Sequence, residues 1–224
     1  MTRADTGAGR LTEVGAAAWR ILFVCTGNLC RSPVAERLMC SALSGAGAQV
    51  RVTSAGTRTY DGRPMEPNAA RVLAELGGQD HPPFASRRLT TELVRDSDLI
   101  LTAAREHRLT VCELEPAAWP RTFTLAEFAR LLDTRQGPPL DPALSLSVRA
   151  STLIGQAAAS RGLTAPARTE DDDIEDPIGG RYPVFRRGGA QIAQHVTTVA
   201  SHLTGVVCSP PAPAWRERRW LLRR

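Results

Sequence analysis

Ile21-Leu22-Phe23-Val24 is a continuous apolar run, too short for a helix and without the alternation of a half-exposed strand. Such a run fits a strand covered on both faces, as in a parallel sheet. It stops at Cys25-Thr26-Gly27-Asn28, which reads as a loop, and Ser32-Pro33 then supplies a cap candidate and a proline suited to a helix's first turn. Val34 to Leu43 continue as helix, with Val34, Leu38 and Ala42 on one face. The pattern repeats. Gln49 to Thr53 reads as the next strand, running into Ser54-Ala55-Gly56-Thr57, and Asn68 to Leu76 as a helix. Thr90 to Arg95 is a short helix before the buried strand Leu99-Ile100-Leu101, and Glu106 to Thr110 is helical. Arg121 to Leu125 reads as a strand, Ala126 to Leu132 as helix and Arg135 to Ala143 as a proline-rich loop. Leu146 to Ser160 and Gly188 to Leu203 complete the helices. Strands separated by helices specify an α/β fold whose parallel sheet is covered on both faces.

With 224 residues the chain suffices for one well-buried domain plus tails. Residues 1–18 read as a flexible extension, 19–205 as the domain, and 206–224 as a tail rich in proline and arginine. No stretch approaches a membrane span, and the N-terminus lacks an apolar signal core, so the expectation is a cytoplasmic protein. Every basic residue is arginine; Trp215 to Arg224 carries five against one glutamate, whereas Glu170 to Asp176 holds six carboxylates. The basic tail suits weak contact with an anionic surface; no nucleic-acid partner is expected. Five cysteines without a Cys-x2-Cys pair argue against a disulfide framework or structural zinc.

The chemistry concentrates in Cys25-Thr26-Gly27-Asn28-Leu29-Cys30-Arg31-Ser32-Pro33. A loop curling over a helix N-terminus aims backbone N–H groups inward as an anion nest. The same donors favour an anionic sulfur at its centre. Arg31 can fork onto two oxygens of a tetrahedral dianion while Cys25 attacks phosphorus. Such chemistry also needs an acid for the leaving oxygen and a base for water, without any metal or organic cofactor. Asp176-Pro177, in the turn-prone Asp-Pro-Ile-Gly-Gly, is the candidate; Asp171 to Asp173 read as solvated surface carboxylates.

These residues resemble the low-molecular-weight protein tyrosine phosphatase family, which includes relatives acting on phosphoarginine and on arsenate. Cys25 to Pro33 matches its loop, Cys-x-Gly-Asn-x-Cys-Arg-Ser-Pro, at every specified position. Ser54-Ala55-Gly56-Thr57, Gly62-x-Pro64, Asp98 to Thr102, His107-Arg108 and Asp173 to Pro177 follow in order. The resemblance implies a three-layer α/β/α fold with a four-stranded parallel sheet. It implies Cys25 as nucleophile, Arg31 as phosphate clamp and Asp176 as acid and then base. Thr26, Gly27, Leu29 and Cys30 would complete the phosphate loop, with Cys30 close enough to Cys25 for a reversible disulfide. Asn28 would hold the loop's strained conformation, Ser32 would donate to the Cys25 thiolate, and Ser54 would support the loop from the next strand.

Departures bear on the substrate. The aromatic pair that many members carry after Asp-Pro is Ile178-Gly179 here, an open pocket wall that Tyr60 completes from the opposite side. Phe84-Ala85-Ser86-Arg87 stands where a supporting histidine is common. Leu29 occupies the place of a threonine found in phosphoarginine-specific relatives, and an apolar side chain there suits an aromatic ring. The expected substrate is therefore a phosphotyrosine-containing protein or small aryl phosphate, with protein-arginine phosphatase as the alternative. Arsenate reduction needs a later thiol pair, and only Cys112 stands in that region. A non-catalytic phosphate-binding regulator would not need Cys25, Arg31 and Asp176 together.

Overall fold

Four parallel strands in the order β2-β1-β3-β4 form the centre of the chain in a computed structural model that describes residues 18–45, 50–136, 138–141, 143–163, 166, 168–210 and 213. They are β1 (Trp19–Cys25), β2 (Val50–Gly56), β3 (Leu99–Thr102) and β4 (Thr122–Thr124). β1 pairs with β2 from Trp19↔Val50 to Cys25↔Gly56 and with β3 from Ile21↔Leu99 to Val24↔Thr102. Ile21, Leu22 and Val24 are wholly buried, because helices cover both faces of this central strand. On one face Ile21 and Phe23 join the larger core; on the other Leu22 and Val24 meet Ala55, Ile100 and Val111. This is the three-layer arrangement expected.

The helices are α1 (Arg31–Ala42), α2 (Pro67–Glu75), α3 (Thr91–Arg95), α4 (Arg105–Leu114), α5 (Leu125–Asp133), α6 (Leu146–Ser160) and α7 (Tyr182–Thr204). α5 starts with a capping box: Thr124 accepts from the Glu127 amide while Glu127 reaches back to the Thr124 amide. α7 ends at Gly205, whose φ of 72° supplies the left-handed cap.

Two expectations about helix starts need correction. α1 begins at Arg31 with Cys30 at the cap position and no side-chain cap bond, so Ser32 lies inside the first turn and its hydroxyl is committed elsewhere. α7 begins six residues before Gly188, at Tyr182, with Pro183 in its first turn. Gly188-Gly189 is a site of close approach rather than a start: a Cβ on Gly189 would lie 2.3 Å from Val72 Cγ1 of α2.

No helix among the described residues is long and apolar enough to cross a membrane. The N-terminal extension before residue 18 and the arginine-rich end from residue 214 lie outside the described residues. Past α7 the Cys208 amide donates to Ser201 Oγ, laying the chain back against that helix.

Candidate active site

β1 ends at Cys25 and α1 starts at Arg31, so the intervening loop wraps the N-terminus of α1 at the carboxyl edge of the sheet, where open α/β sheets place their ligands. Its carbonyls are turned outward. Cys25 O accepts from the Thr57 amide at 2.9 Å, Thr26 O from Arg58 at 2.8 Å and Leu29 O from Glu66 at 3.0 Å. Among the described residues the amides of Gly27 to Arg31 meet no backbone or side-chain acceptor. Unpaired N–H groups in a loop whose carbonyls are already engaged form a seat for an anion.

Asn28 holds this shape. Its φ of 50° makes it the non-glycine residue with left-handed backbone among those described. The strain is held by a wholly buried amide that makes three hydrogen bonds. Nδ2 donates to Ser32 Oγ and to Ser54 Oγ, both at 2.8 Å, and Oδ1 accepts from the Arg87 amide at 2.8 Å. Beside it Gly56 is required, because a Cβ there would lie 2.7 Å from Thr26 O.

These bonds dictate where hydrogens point. Asn28 Nδ2 can only donate, so both serine oxygens accept from it and each hydroxyl hydrogen is free to go elsewhere. Ser54 gives its hydrogen to Glu36 Oε2 at 2.6 Å. Ser32 Oγ is 3.0 Å from Cys25 Sγ, so its hydrogen is directed at the sulfur. Burial raises the pKa of Glu36, opposed by the Ser54 hydrogen bond and the charge of Arg37. Cys30, also buried, has its thiol pushed well up, first by burial and then by Cys25.

Arg31 is 5% exposed although charged, and both terminal nitrogens of its guanidinium are engaged. Nη1 donates to Ile174 O at 3.2 Å, and Nη2 to Asp176 Oδ2 at 2.7 Å and Thr26 Oγ1 at 3.3 Å. One cation thus joins the phosphate loop to the Asp176 turn, 145 residues away in the chain. Asp176 is half exposed, and its Oδ1 accepts from the Ile178 amide at 3.2 Å.

Of the carboxylates expected to be solvated, Asp171 is exposed, but Asp172 and Asp173 are not. Asp172 is buried against Arg130, with Nη2 at 3.0 Å, and Asp173 accepts from the Arg105 amide at 2.8 Å and from its guanidinium. The Ile174 amide donates to Ala103 O at the end of β3. These contacts moor the approach to Asp176 onto α4, α5 and the sheet edge.

Two buried groups carry no assigned role in the sequence reading: Glu36, and His107, which is matched there only as part of a motif. His107 Nε2 is 2.8 Å from Thr26 Oγ1. With Nε2 unprotonated the ring accepts the Thr26 hydroxyl hydrogen, while the hydroxyl oxygen accepts from Arg31. Burial, then the charge of Arg31, lowers the His107 pKa to about 4, in keeping with a neutral acceptor.

Tyr60 is 82% exposed, on a segment tied to the loop by the Thr57 and Arg58 amides; Ile178 is exposed in the Asp176 turn. Among the described residues no group of three His, Cys, Asp or Glu side chains is placed to hold a metal ion.

Residues 20–148 match the family model for low molecular weight phosphotyrosine protein phosphatases. The low-molecular-weight protein-tyrosine-phosphatase Etp of Escherichia coli is 39% identical over 108 residues, 48% of this chain and 70% of its own length. The protein-arginine-phosphatase of Bacillus subtilis is 35% identical over 123 residues, 54% of this chain and 78% of that protein. The YwlE arginine phosphatase from Geobacillus stearothermophilus shares the fold at a TM-score of 0.60 and 27% identity, covering 84% of this chain and 94% of that one. The tyrosine phosphatase amsI of Erwinia amylovora, at 23% identity, shares it with a TM-score of 0.58 over 83% of this chain and 93% of that one.

Proposed function

Since the chain belongs to the low-molecular-weight phosphotyrosine protein phosphatase family, whose members work through a cysteine nucleophile, we propose that it hydrolyses phosphotyrosine in proteins and small aryl phosphates at the Cys25 loop. The observation that carries this reading is the convergence of three groups: Cys25 facing the Ser32 hydroxyl, the unpaired loop amides, and Arg31 held against Asp176. Cys25 sulfur attacks phosphorus, forming the S–P bond as the P–O bond breaks. Asp176, entering as the carboxylic acid, passes its proton to the departing oxygen. The loop amides and Arg31 take the equatorial oxygens, Nη2 exchanging its contact with Asp176 for one with phosphate. Water then attacks phosphorus, its proton goes to Asp176, and the S–P bond breaks to return the thiolate. Ser32 stabilises that thiolate in both steps.

Phosphoarginine is the second reading, supported by the Bacillus subtilis relative. Against it, Leu29 has no hydroxyl to offer, although it packs into the core and so does not present the apolar face to the substrate that the sequence suggested; Tyr60 and Ile178 are the exposed apolar side chains beside the loop and the Asp176 turn. Kinetics on p-nitrophenyl phosphate, a phosphotyrosine peptide and a phosphoarginine peptide test both. Turnover of the first two, lost in Cys25→Ser and heavily reduced in Arg31→Lys, is expected. Parental activity in Cys25→Ser rejects the mechanism, and a higher kcat/KM on phosphoarginine reverses the choice of substrate.

A further inference from the structure

Eleven arginines among the described residues already have a carboxylate. Arg20, Arg31, Arg37, Arg71, Arg95, Arg105, Arg108, Arg130, Arg161, Arg168 and Arg187 are all in ion pairs. Arg51, Arg58, Arg63, Arg88 and Arg181 are exposed, and none of the five has a carboxylate within ion-pair distance among the described residues. Three of them, Arg58, Arg63 and Arg88, share one place.

Residues 56–63 and 86–89 are stitched into a single rim beside the phosphate loop. Gly56 donates to Arg87 O and accepts from the Leu89 amide, the Gly62 amide donates to Ser86 O, and the Ser86 amide donates to Arg63 O. Ser86 Oγ donates to Tyr60 O at 2.7 Å and accepts from the Arg63 amide at 3.0 Å. The Arg58 amide, donating to Thr26 O, locks this rim to the loop itself. Asp61, which holds the Arg88 amide at 2.6 Å, offsets one charge, but against Arg58, Arg63, Arg87 and Arg88 the rim stays net positive, and Glu66 lies outside it, capping α2 through the Ala69 amide at 2.9 Å. The result is a hydrogen-bonded rim, tied to the phosphate loop, that carries an exposed tyrosine and three exposed arginines without an ion pair.

We infer that this rim is a substrate-docking surface selecting phosphopeptides with acidic residues beside the phosphorylated one, with Arg58, Arg63 and Arg88 as the recognising charges. The inference rests on the phosphatase reading and names its substrate class more narrowly. An acidic flank meets complementary charge without desolvation, so each contact is modest and salt-dependent. An exposed ion pair is worth up to about fivefold, and three together about tenfold or more in kcat/KM.

The test uses phosphotyrosine peptides with acidic, neutral or basic flanks, with p-nitrophenyl phosphate as the flankless reference. The parent enzyme should prefer the acidic over the neutral peptide by about tenfold at low salt, with the preference shrinking as salt rises. Arg58→Gln/Arg63→Gln/Arg88→Gln should level the peptides while keeping turnover of p-nitrophenyl phosphate. Equal use of all peptides by the parent, or an acidic preference that survives in the triple variant, overturns the inference. So does an outcome in which the variant loses binding to anionic phosphatidylserine vesicles while peptide discrimination is untouched, since the rim would then serve a membrane. An absence of turnover on p-nitrophenyl phosphate by the parent would instead defeat the phosphatase reading beneath it.

Discussion

Replacing Asn28 separates stability from catalysis more sharply than any other change in the site. Its side chain is buried and makes three hydrogen bonds, to Ser32, Ser54 and the Arg87 amide, each worth about 1 kcal/mol. Left-handed backbone without a polar side chain to support it adds about 1 kcal/mol. Asn28→Ala should therefore cost about 3–5 kcal/mol, a large share of the ~5–15 kcal/mol that holds a typical domain together. If the loop relaxes instead of the whole domain unfolding, the same energy appears as loss of preorganisation, about 100-fold in kcat/KM for 3 kcal/mol. Asn28→Asp makes the decisive contrast. It keeps the volume, tolerates positive φ and still accepts from the Arg87 amide, but it cannot donate. Ser32 and Ser54 must then turn their hydrogens toward the new carboxylate, and Cys25 loses the hydroxyl hydrogen aimed at its sulfur. Urea unfolding should show a smaller loss for Asp than for Ala, while kcat/KM on p-nitrophenyl phosphate falls at least as far. Parental kinetics in Asn28→Asp would refute the argument that this amide sets the direction of the hydrogen-bond chain.

His107, with a pKa of about 4 against an ordinary 6.5, takes up its proton less readily folded than unfolded, so its contribution to stability is complete above about pH 6.5 and is lost as pH falls toward 4, by about 3 kcal/mol in all. Urea midpoints between these limits should drop more steeply for the parent than for His107→Gln; parallel profiles would reject that linkage. Asp176→Asn should make kcat/KM depend more steeply on leaving-group pKa across aryl phosphates, and an unchanged slope, with Asp173→Asn steepening it instead, would move the acid to that neighbour. Mild peroxide should join Cys25 to Cys30 reversibly, with Cys25 oxidised first because burial holds the Cys30 thiol protonated; mass mapping that finds only Cys25 sulfonic acid and free Cys30 would count against it.

Local signals carried most of the fold. The apolar runs at Ile21 and Leu99 and the boundaries of α6 follow from patterns within a few residues, and the structure has them at those places. What misled was chemistry that only tertiary contact reveals. Ser32 looks like a cap, but its hydroxyl lies between Cys25 and Asn28. Gly188 looks like a helix start, but Gly189 is where α7 presses against Val72. Asp172 and Asp173 look solvated because their partners, Arg130 and Arg105, are 42 and 68 residues distant. The candidate nucleophile, clamp and acid were legible through a motif. Glu36 and His107 were not, since a buried carboxylate or imidazole is given its job by the hydroxyl it faces rather than by its neighbours in sequence.

The mooring of residues 172–174 bears on how chains of this kind can change length. Asp172 is held by α5, Asp173 by the first turn of α4, and Ile174 by the edge of β3 and by Arg31 itself. All four anchors belong to elements that precede residue 134. α6, which lies in the chain between α5 and the moored residues, is thus a detour from which the chain returns to fixed berths. Residues could be added to or removed from the connection around Arg135–Leu140 without shifting the Asp176 carboxylate relative to Arg31. A foreign domain grafted there should leave turnover intact, whereas a single residue inserted between Ile174 and Asp176 would slide the acid off its station.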